Sequence, residues 1–348
     1  MELYILMDPL PLIRILADGR FHSGDKLGRS LGVSRAAIWK IIRQIESRGL
    51  EIHSVRGKGY RLSAALELLD RSAIVADLRP EHQRALDTLD ILATVDSTNS
   101  LLMRKLQSRE LQQPRGVHVC LAEQQTAGRG RRGRQWISPF GRNMYLSVLK
   151  VFATGIIALE GLSLAVAIAV ARALADCGIA DIAVKWPNDV LWQNQKLAGI
   201  LLEMTGDING ECQVVIGIGL NLETSRELVQ NIEQPWTDLA SISGQKPARN
   251  RIVARVLDNL LQVIGEFERN GFGGFRQEWE SLDACRGLQV ELTSANAVTT
   301  GVVRGVSDQG ALVLETENEV RLFNGGEVSM RVNKAAVTGC TTGASNDS

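Results

Sequence analysis

The sequence predicts a multidomain protein of the α+β class. We expect a winged helix-turn-helix, then a central α/β domain with a mixed, mostly antiparallel sheet, then a small β-barrel. Three observations carry this prediction. The chain has 348 residues, which is more than one hydrophobic core usually supports. Helix signals in a basic segment come first, and helix and strand patterns then alternate. Short apolar runs separated by glycines follow from residue 288 onward.

The charge of the chain is balanced in total but uneven along its length. Lys and Arg number 39, and Asp and Glu also number 39, which excludes a histone-like or acidic-tail protein. Residues 1–65, however, carry eleven basic and six acidic residues, a net charge of +5. We therefore expect an anionic partner such as nucleic acid at this segment.

Cysteine usage and hydropathy indicate a cytoplasmic protein with no membrane partner. The five cysteines are scattered without metal-ligand spacing, so we expect neither a disulfide framework nor a zinc site. The longest apolar stretch, residues 161–171, has eleven residues, whereas a membrane-spanning helix needs about 20. The first eleven residues lack the features of a signal peptide.

Residues 1–65 are predicted to form a winged helix-turn-helix that binds DNA. Apolar residues at helical spacing flank Gly32, which suits the left-handed turn between the helices. Segment 52–61 is predicted to form the wing, two strands around a Gly-Lys-Gly turn. A helical oligomerisation module with solvated basic residues is the alternative. The residues expected to contact DNA are Ser34, Arg35, Ala36, Trp39, Lys40, Arg43, Arg56 and Lys58.

Residues 66–283 are predicted to form the central domain. Helices are expected over 156–176 and 251–269, and strands over 143–151, 183–192, 196–204 and 212–222. Short polar connections between the last three strands favour antiparallel hairpins. Residues 284–334 are predicted to form the barrel, and residues 335–348 a disordered tail.

Residues 123–136 (EQQTAGRGRRGRQW), hereafter the arginine–glycine loop, interleave three glycines with four arginines. Glycine lets backbone N–H groups approach an anion, and arginine supplies charge and forked donors. The loop lacks the Gly-Lys-Ser/Thr of a Walker motif, and its GxGxxG spacing lies outside a βαβ unit. We expect it to bind phosphate or carboxylate and to become ordered around the anion. A disordered loop or an RNA-binding patch is the alternative.

Four stretches of the chain carry distinctive sequence motifs. They are the run 125–134 followed by Trp136 and Ser138-Pro139, DSTN at 96–99, KWPND at 185–189 with KLAGIL at 196–201, and IGIGLN at 216–221. Together they resemble the motifs of biotin–protein ligases, and the run 125–134 resembles the biotin-binding loop of that family. The resemblance covers about residues 10–333 and is to the bifunctional type, which is both a ligase and a biotin operon repressor. It implies a central domain like class II aminoacyl-tRNA synthetases and a C-terminal SH3-like barrel.

The resemblance implies a two-step reaction. Biotin and ATP form biotinyl-5′-AMP and pyrophosphate, with Mg²⁺ on the ATP phosphates, and a lysine of biotin carboxyl carrier protein then takes the biotinyl group. No metal ligand is assigned in the chain. The expected partners are the carrier protein and operator DNA, with a homodimer forming when biotinyl-5′-AMP is bound.

The resemblance also implies roles for particular residues. Those expected to bind biotin are Ser97, Thr98, Asn99, Gln125, Thr126, Gly128, Arg129, Gly130, Arg131, Arg132, Lys196, Gly217 and Gly219. Those expected to bind ATP or act in catalysis are Arg131, Arg134, Trp136, Lys185, Asn188, Asp189, Lys196 and Asn221. Several of them have structural alternatives: a helix cap at 97–99, a turn pair at 188–189, core packing for Trp136 and Trp186, and a β-bulge at Gly217 and Gly219.

Three other functions fit parts of the sequence. One is a lipoate or octanoyl ligase of the same fold, which the arginine–glycine loop and KWPND disfavour. Another is a biotin-sensing regulator without turnover, which Lys196 and the complete loop disfavour. The third is a ligase whose amino-terminal module only aids release of the carrier protein.

Overall fold

The computed structural model describes residues 8–111, 116–206, 210–224, 234–294, 297–326 and 328–332. Its first unit is the predicted winged helix-turn-helix. The elements are α1 (Leu10–Leu16), α2 (Gly24–Leu31), α3 (Arg35–Ser47) and the antiparallel strands β1 (Ile52–Val55) and β2 (Gly59–Leu62).

Local sequence explains how α2 and α3 meet. Gly32 adopts the predicted left-handed conformation at φ 66°, and the Ser34 hydroxyl accepts a hydrogen bond from the Ala37 N–H to cap α3. A Cβ at Gly28 would lie 2.7 Å from the Val33 carbonyl oxygen, so only glycine permits this approach. The prediction of a helix-turn-helix with a wing is confirmed.

The central unit is a seven-stranded sheet with helices packed on it. Its helices are α4 (Arg71–Ala76), α5 (Pro80–Ala85), α6 (Thr98–Gln107), α7 (Leu162–Asp176), α8 (Leu239–Ser243), α9 (Arg249–Asn270) and α10 (Arg276–Leu282). Its strands are β3 (Leu86–Leu92), β4 (Val117–Ala122), β5 (Met144–Phe152), β6 (Ile182–Lys185), β7 (Asp189–Trp192), β8 (Gln195–Gly206) and β9 (Cys212–Leu220). The strand order is β3-β4-β5-β9-β8-β7-β6, and only β3 and β4 pair in parallel. The mixed, mostly antiparallel sheet is confirmed.

Two predicted elements are broken by residues that interrupt regular hydrogen bonding. Segment 183–192 is the hairpin of β6 and β7 rather than one strand, because Pro187 has no N–H for a sheet ladder. Segment 156–176 is a 3₁₀ turn (Ile156–Leu159) followed by α7, with Gly161 left-handed at φ 79° between them. Both single-element predictions were wrong.

Helix α7 forms the core of the central unit. Eleven of its fifteen residues are buried, and it packs against α9 and against β6, β7 and β8. Within the described ranges, Ile156–Asp176 alone is long and apolar enough to span a membrane. Its burial against the sheet and α9 identifies α7 as a core helix.

The winged helix-turn-helix is joined to the central unit by apolar packing and by buried polar groups. Phe140, which follows the arginine–glycine loop, is 1% exposed and packs in the hydrophobic cluster of the winged unit. Glu67, on the connecting segment, accepts hydrogen bonds from the Arg249 backbone N–H (2.6 Å) and from Asn250 Nδ2 (2.8 Å). Arg249 also pairs with Glu123, and both side chains are at most 4% exposed. The Phe140 packing therefore holds the winged unit against the central unit, and the Glu67 contacts fix the segment that connects them.

The C-terminal unit is an antiparallel five-stranded sheet. Its strands are β10 (Gln289–Thr293), β11 (Val298–Val306), β12 (Leu312–Glu315), β13 (Val320–Phe323) and β14 (Ser329–Val332), in the order β13-β12-β11-β10-β14. Val290, Leu312 and Met330 belong to the same hydrophobic cluster as the central unit. The predicted disordered tail, 335–348, lies outside the described residues.

Asp283 lies where α10 leads into the C-terminal sheet. Its Oδ1 accepts the Cys285 N–H at 2.9 Å, and its buried Oδ2 has no hydrogen-bond partner within the described chain. Burial raises the pKa of Asp283 to about 6 from its usual 3.8. Folding therefore favours the protonated carboxyl, so this contribution to stability is present below about pH 4 and is lost as the pH rises through about 6.

We predict that Asp283→Asn removes this pH dependence. Between about pH 4.5 and about pH 7.5, the unfolding free energy of the wild type should fall by about 2 kcal/mol relative to the variant. Urea unfolding at both pH values measures the difference. Asp308→Asn, at a 66% exposed side chain, is the control and should follow the wild type. Parallel pH curves for wild type and Asp283→Asn would contradict the prediction.

Candidate active site and DNA-binding surface

A cavity of about 1550 Å³ opens above β8 and β9. The start of α6, the arginine–glycine loop, the β6–β7 hairpin and β14 surround it. The predicted site residues that line it are Ser97, Thr98, Asn99, Gln125, Arg129, Gly130, Arg131, Arg132, Arg134, Trp136, Lys185, Asn188, Asp189, Lys196, Gly217, Gly219 and Asn221. Thr126 and Gly128 are not among its lining residues. All four motif stretches therefore meet at one cavity.

The start of α6 forms one wall. Ser97 is the N-cap of α6, and its hydroxyl accepts a hydrogen bond from the Ser100 N–H. Gln125 Oε1 accepts from the Thr98 N–H (2.9 Å) and hydroxyl (3.1 Å). The helix-cap alternative is thus correct for Ser97, and the same turn also faces the cavity.

Asn99 is 4% exposed, and its amide is paired within the protein. Its Oδ1 accepts a hydrogen bond from the Ser147 hydroxyl at 2.5 Å. Its Nδ2 donates to the Leu201 carbonyl (3.3 Å) and to Glu203 Oε2 (2.9 Å). A Cβ at Gly217 would lie 2.3 Å from Asn99 Oδ1. The side chain therefore lies flat on the strand and forms part of the wall.

Trp136 lies over β9 in the same way. A Cβ at Gly219 would lie 2.4 Å from the Trp136 ring, and one at Gly199 3.0 Å from it. The register of β9 with β5 and β8 is continuous through Gly217 and Gly219, so the β-bulge alternative was wrong. These glycines are needed because side chains pack directly on the strand.

The two tryptophans differ. Trp186 is 2% exposed and donates its Nε1–H to the Gly310 carbonyl at 3.2 Å, as the core-packing alternative predicted. Trp136 borders the same cavity as Trp186 does, but it is only partly buried. Its buried Nε1 has no hydrogen-bond partner among the described residues. Trp136 therefore presents both a ring and a donor near the cavity.

Positive charge dominates the cavity. Its described lining holds seven basic side chains and one carboxylate, that of Asp189. Lys196 Nζ lies 2.6 Å from Asp189 Oδ1 and 5.7 Å from the Trp136 ring centroid. The cavity therefore suits a ligand with several negative charges. The seven basic residues are Arg129, Arg131, Arg132, Arg134, Lys185, Lys196 and Arg331.

Arg131 ties the arginine–glycine loop to the C-terminal sheet. Its guanidinium donates to Asn188 Oδ1 at 3.2 Å and to the carbonyls of Gly325 and Gly326. Burial lowers the pKa of Arg131 below its ordinary value. A bound anion would compensate for this desolvation. Asn188 thus holds Arg131 through its Oδ1. It also forms part of the predicted turn, where its Nδ2 donates to the Ile200 carbonyl.

Sequence reasoning missed several lining residues. Trp236, Cys285 and Arg331 line the cavity, but no motif marks them, and packing of distant segments brings them there. Burial raises the pKa of the Cys285 thiol to about 11, so it is not a thiolate nucleophile at neutral pH. The described lining contains no histidine. The site is therefore equipped to hold anions rather than to form a covalent intermediate.

All the residues predicted to contact DNA are exposed to solvent. On α3 and its cap, Ser34, Arg35, Ala36, Trp39, Lys40 and Arg43 are exposed, as are Arg56 and Lys58 at the wing. Trp39 is 52% exposed, and Arg43 Cζ lies 5.2 Å from its ring centroid. The core of the winged unit therefore leaves this ring accessible.

Comparison with known proteins places this architecture among DNA-binding biotin ligases. The model of the "Biotin/lipoate A/B protein ligase family" matches residues 91–221. An "HTH domain" model matches residues 11–61, and the "Biotin protein ligase C terminal domain" model matches residues 287–331. The three matches follow the three structural units.

Individual relatives and solved structures indicate which kind of ligase the chain is similar to. The chain is 39% identical over 323 residues to "Bifunctional ligase/repressor BirA" of Escherichia coli, covering 93% of this chain and 97% of that one. It is 34% identical to "Biotin--[acetyl-CoA-carboxylase] ligase" of Mycobacterium tuberculosis, covering 69% and 88%. The biotin protein ligase of Aquifex aeolicus in complex with biotin and ATP superposes with a TM-score of 0.61, at 30% identity over 71% of this chain and all of that one. The chain belongs to the family of bifunctional biotin–protein ligases and repressors.

We predict that Gly219→Ala weakens biotin binding about tenfold or more, because the new methyl group would displace the Trp136 ring. Calorimetric titration with biotin measures the affinity. Gly265→Ala on α9 is the control, since its Cβ would meet only the end of Arg269 at 3.7 Å. That variant should bind normally and be slightly more stable. Unchanged affinity in a folded Gly219→Ala protein would contradict the prediction.

Proposed function

We propose that this cavity joins biotin to ATP, forming biotinyl-5′-AMP and pyrophosphate, and then passes the biotinyl group to a lysine of biotin carboxyl carrier protein. One observation carries the proposal. Among the residues that the structure describes, seven basic side chains converge with a single carboxylate on a cavity built from every motif stretch. Family membership supports the same reaction.

Charge neutralisation is the main contribution we assign to the chain. In the first step the biotin carboxylate attacks the α-phosphorus of ATP, and the bond from that phosphorus to the pyrophosphate oxygen breaks. Two anions must approach each other, and fixed cations lower the free energy of that encounter. We assign this role to Lys196, Arg131 and Arg132, with Arg134 toward the pyrophosphate.

The walls of the cavity would hold the two substrates in a defined orientation. We assign Ser97, Thr98 and Gln125 to the biotin ring, since they lie together at the start of α6. The Gly130 backbone and the floor at Gly217 and Gly219 would lie along the ligand. The nucleotide side would be formed by Trp136, Lys185, Asn188, Asp189 and Asn221. Holding both substrates in line for reaction can replace covalent catalysis.

Three predicted contacts need a different role. Thr126 and Gly128 do not line the cavity, and Gly128 instead permits close packing, because a Cβ there would lie 2.4 Å from the Trp136 carbonyl oxygen. The Asn99 amide is paired within the protein. We therefore assign these residues to the shape of the site.

Mg²⁺ would enter with the nucleotide. The described residues contain no group of three or more His, Cys, Asp or Glu side chains able to hold a metal ion. Mg²⁺ often binds through substrate phosphates and one or two carboxylates, and Asp189 fits that pattern. When bound, Mg²⁺ would offset phosphate charge.

The winged helix-turn-helix would bind operator DNA and repress biotin synthesis genes. We propose that the biotinyl-5′-AMP complex forms a homodimer, which would suit a two-fold operator. The free side of β8 supports this. Beyond Ile200, which hydrogen-bonds Asn188, the described strands pair with β8 only through β9, as far as Gly206. An unpaired strand edge can pair with a second copy.

The finer architecture is also part of the proposal. We propose domains at 1–65, 66–283 and 284–334, a class II synthetase-like central domain, an SH3-like barrel and a cytoplasmic location. The continuous sheet with its helices, the five-stranded C-terminal sheet and the family relationship support these assignments.

We predict that Lys196→Ala slows adenylate formation about a hundredfold or more, because it removes a cation from the centre of the site. Biotin-dependent exchange of pyrophosphate into ATP measures this step. Lys150→Ala, which removes an ion pair with Glu268, is the control. Lipoate in place of biotin should give no exchange in the wild type. Wild-type exchange in Lys196→Ala would exclude Lys196 from the mechanism, and faster exchange with lipoate would favour a lipoate ligase.

We predict that Arg35→Ala with Arg43→Ala weakens binding to the promoter of the organism's own biotin synthesis genes about tenfold or more, with normal ligase activity. Gel-shift titration with biotin and ATP present measures the affinity. Arg84→Ala on the central unit is the control. Substitution is a sharper test than deletion of residues 1–65, because deletion would also uncover Phe140. Unchanged promoter affinity would contradict the DNA assignment.

A further inference from the structure

Glu203 lies on β8, outside the set of cavity-lining residues, and no sequence motif marks it as functional. One of its carboxylate oxygens nevertheless joins two parts of the site. Glu203 Oε2 accepts from Arg129 Nη2 at 2.5 Å and from Asn99 Nδ2 at 2.9 Å. Arg129 belongs to the arginine–glycine loop and Asn99 to α6. Glu203 therefore connects the loop to the wall of the cavity.

The Asn99 end of this connection is rigid. Asn99 is held by the Ser147 hydroxyl and the Leu201 carbonyl as well as by Glu203, and it lies against Gly217. A buried amide is costly to leave unpaired, so Glu203 has a defined position. The Glu203 side chain is 24% exposed, and that of Arg129 is 43% exposed. Glu203 thus offers a fixed negative charge to a more exposed arginine.

We propose that Glu203 is a positioning residue that fastens the arginine–glycine loop over the cavity through Arg129. The proposal rests on the proposed function, because it assigns biotinyl-5′-AMP to this cavity. In this arrangement the Arg129 side chain holds the loop to β8, as Arg131 holds it to the C-terminal sheet, while Arg132 and Arg134 remain for the ligand. Fastening limits the motion that the loop loses when ligand binds. Its effect should therefore appear in how slowly the adenylate leaves.

The loop contains its own reporter of this fastening. Trypsin cleaves after arginine, and the loop offers Arg129, Arg131, Arg132 and Arg134. Cleavage requires the backbone to leave its place. We expect Glu203→Gln, in the intact chain without ligand, to be cut in the loop about three- to tenfold faster than the wild type, as expected for loss of a partly exposed charge pair.

The second readout is release of biotinyl-5′-AMP. We expect Glu203→Gln to release the adenylate about three- to tenfold faster, because glutamine keeps the hydrogen bond from Asn99 but loses the charge opposite Arg129. The control is Glu268→Gln on α9, which removes a similarly exposed ion pair with Lys150 of β5. It should match the wild type in both assays. A merely structural role would lower the melting temperature without changing either rate.

A double-mutant cycle tests whether the effect passes through Arg129. Glu203→Gln combined with Arg129→Gln should be cut no faster than Arg129→Gln alone. Multiplicative effects of the two changes would overturn the proposal. Wild-type cleavage and wild-type adenylate release in Glu203→Gln would also overturn it.

The two proposals can fail separately. If Lys196→Ala loses adenylate formation and Glu203→Gln behaves as the wild type, the Glu203 proposal is overturned and the proposed function stands. If the wild type forms no adenylate, the proposed function is overturned. Cleavage without ligand then decides the Glu203–Arg129 link alone: faster cleavage in Glu203→Gln supports it, and an unchanged rate overturns it.

Discussion

The absence of side chains at two positions of a central strand is the constraint on which the site depends. Gly217 and Gly219 lie in the middle of the sheet, and the Asn99 amide and the Trp136 ring occupy the space that their Cβ atoms would need. These side chains come from α6 and the arginine–glycine loop, so both segments contact the sheet directly. A larger residue at either glycine position would push the Asn99 or Trp136 side chain away and change the shape of the cavity. Two hydrogen atoms in place of side chains thus set where the wall and the loop can lie.

The arginine–glycine loop is also where the three units of the chain meet. Arg131 donates to carbonyls of the C-terminal unit, and Trp136 lies on the central sheet. At the start of the loop, Gln124 Nε2 donates to the carbonyl of Arg48, the C-cap of α3, at 3.4 Å. Phe140, just after the loop, is packed in the core of the winged unit. Residues near both ends of the loop therefore contact the winged unit. Such continuity is a physical basis for linking ligand occupancy to DNA binding.

Much of this arrangement could be predicted from local sequence. Gly32 and Ser34 marked the helix-turn-helix, and strand patterning identified the antiparallel connections. The motif runs marked most of the lining residues because each is a short contiguous signal. What could not be predicted depends on contacts between distant segments. Arg331 reaches the cavity only through packing of the C-terminal unit. Glu203 lies in a segment with the residue pattern of an ordinary strand, so its sequence context does not distinguish it. The break at Gly161 was missed because apolar residues lie on both sides of Glu160 and Gly161.

The chemistry of the site and its regulatory use impose related demands on the loop. The Cys285 thiol is poorly ionised and no histidine is among the described lining residues, so the activated biotin is expected to remain a noncovalent adenylate. A noncovalent intermediate stays only as long as the loop holds it. If the loop opened quickly, the adenylate would escape before a carrier protein or a second copy arrived. A loop that closed permanently would exclude the carrier lysine. Moderate fastening, such as one partly exposed charge pair supplies, satisfies both demands. Under the proposed function, the loaded protein would then persist long enough to bind DNA when carrier is scarce, and would still react when carrier is present.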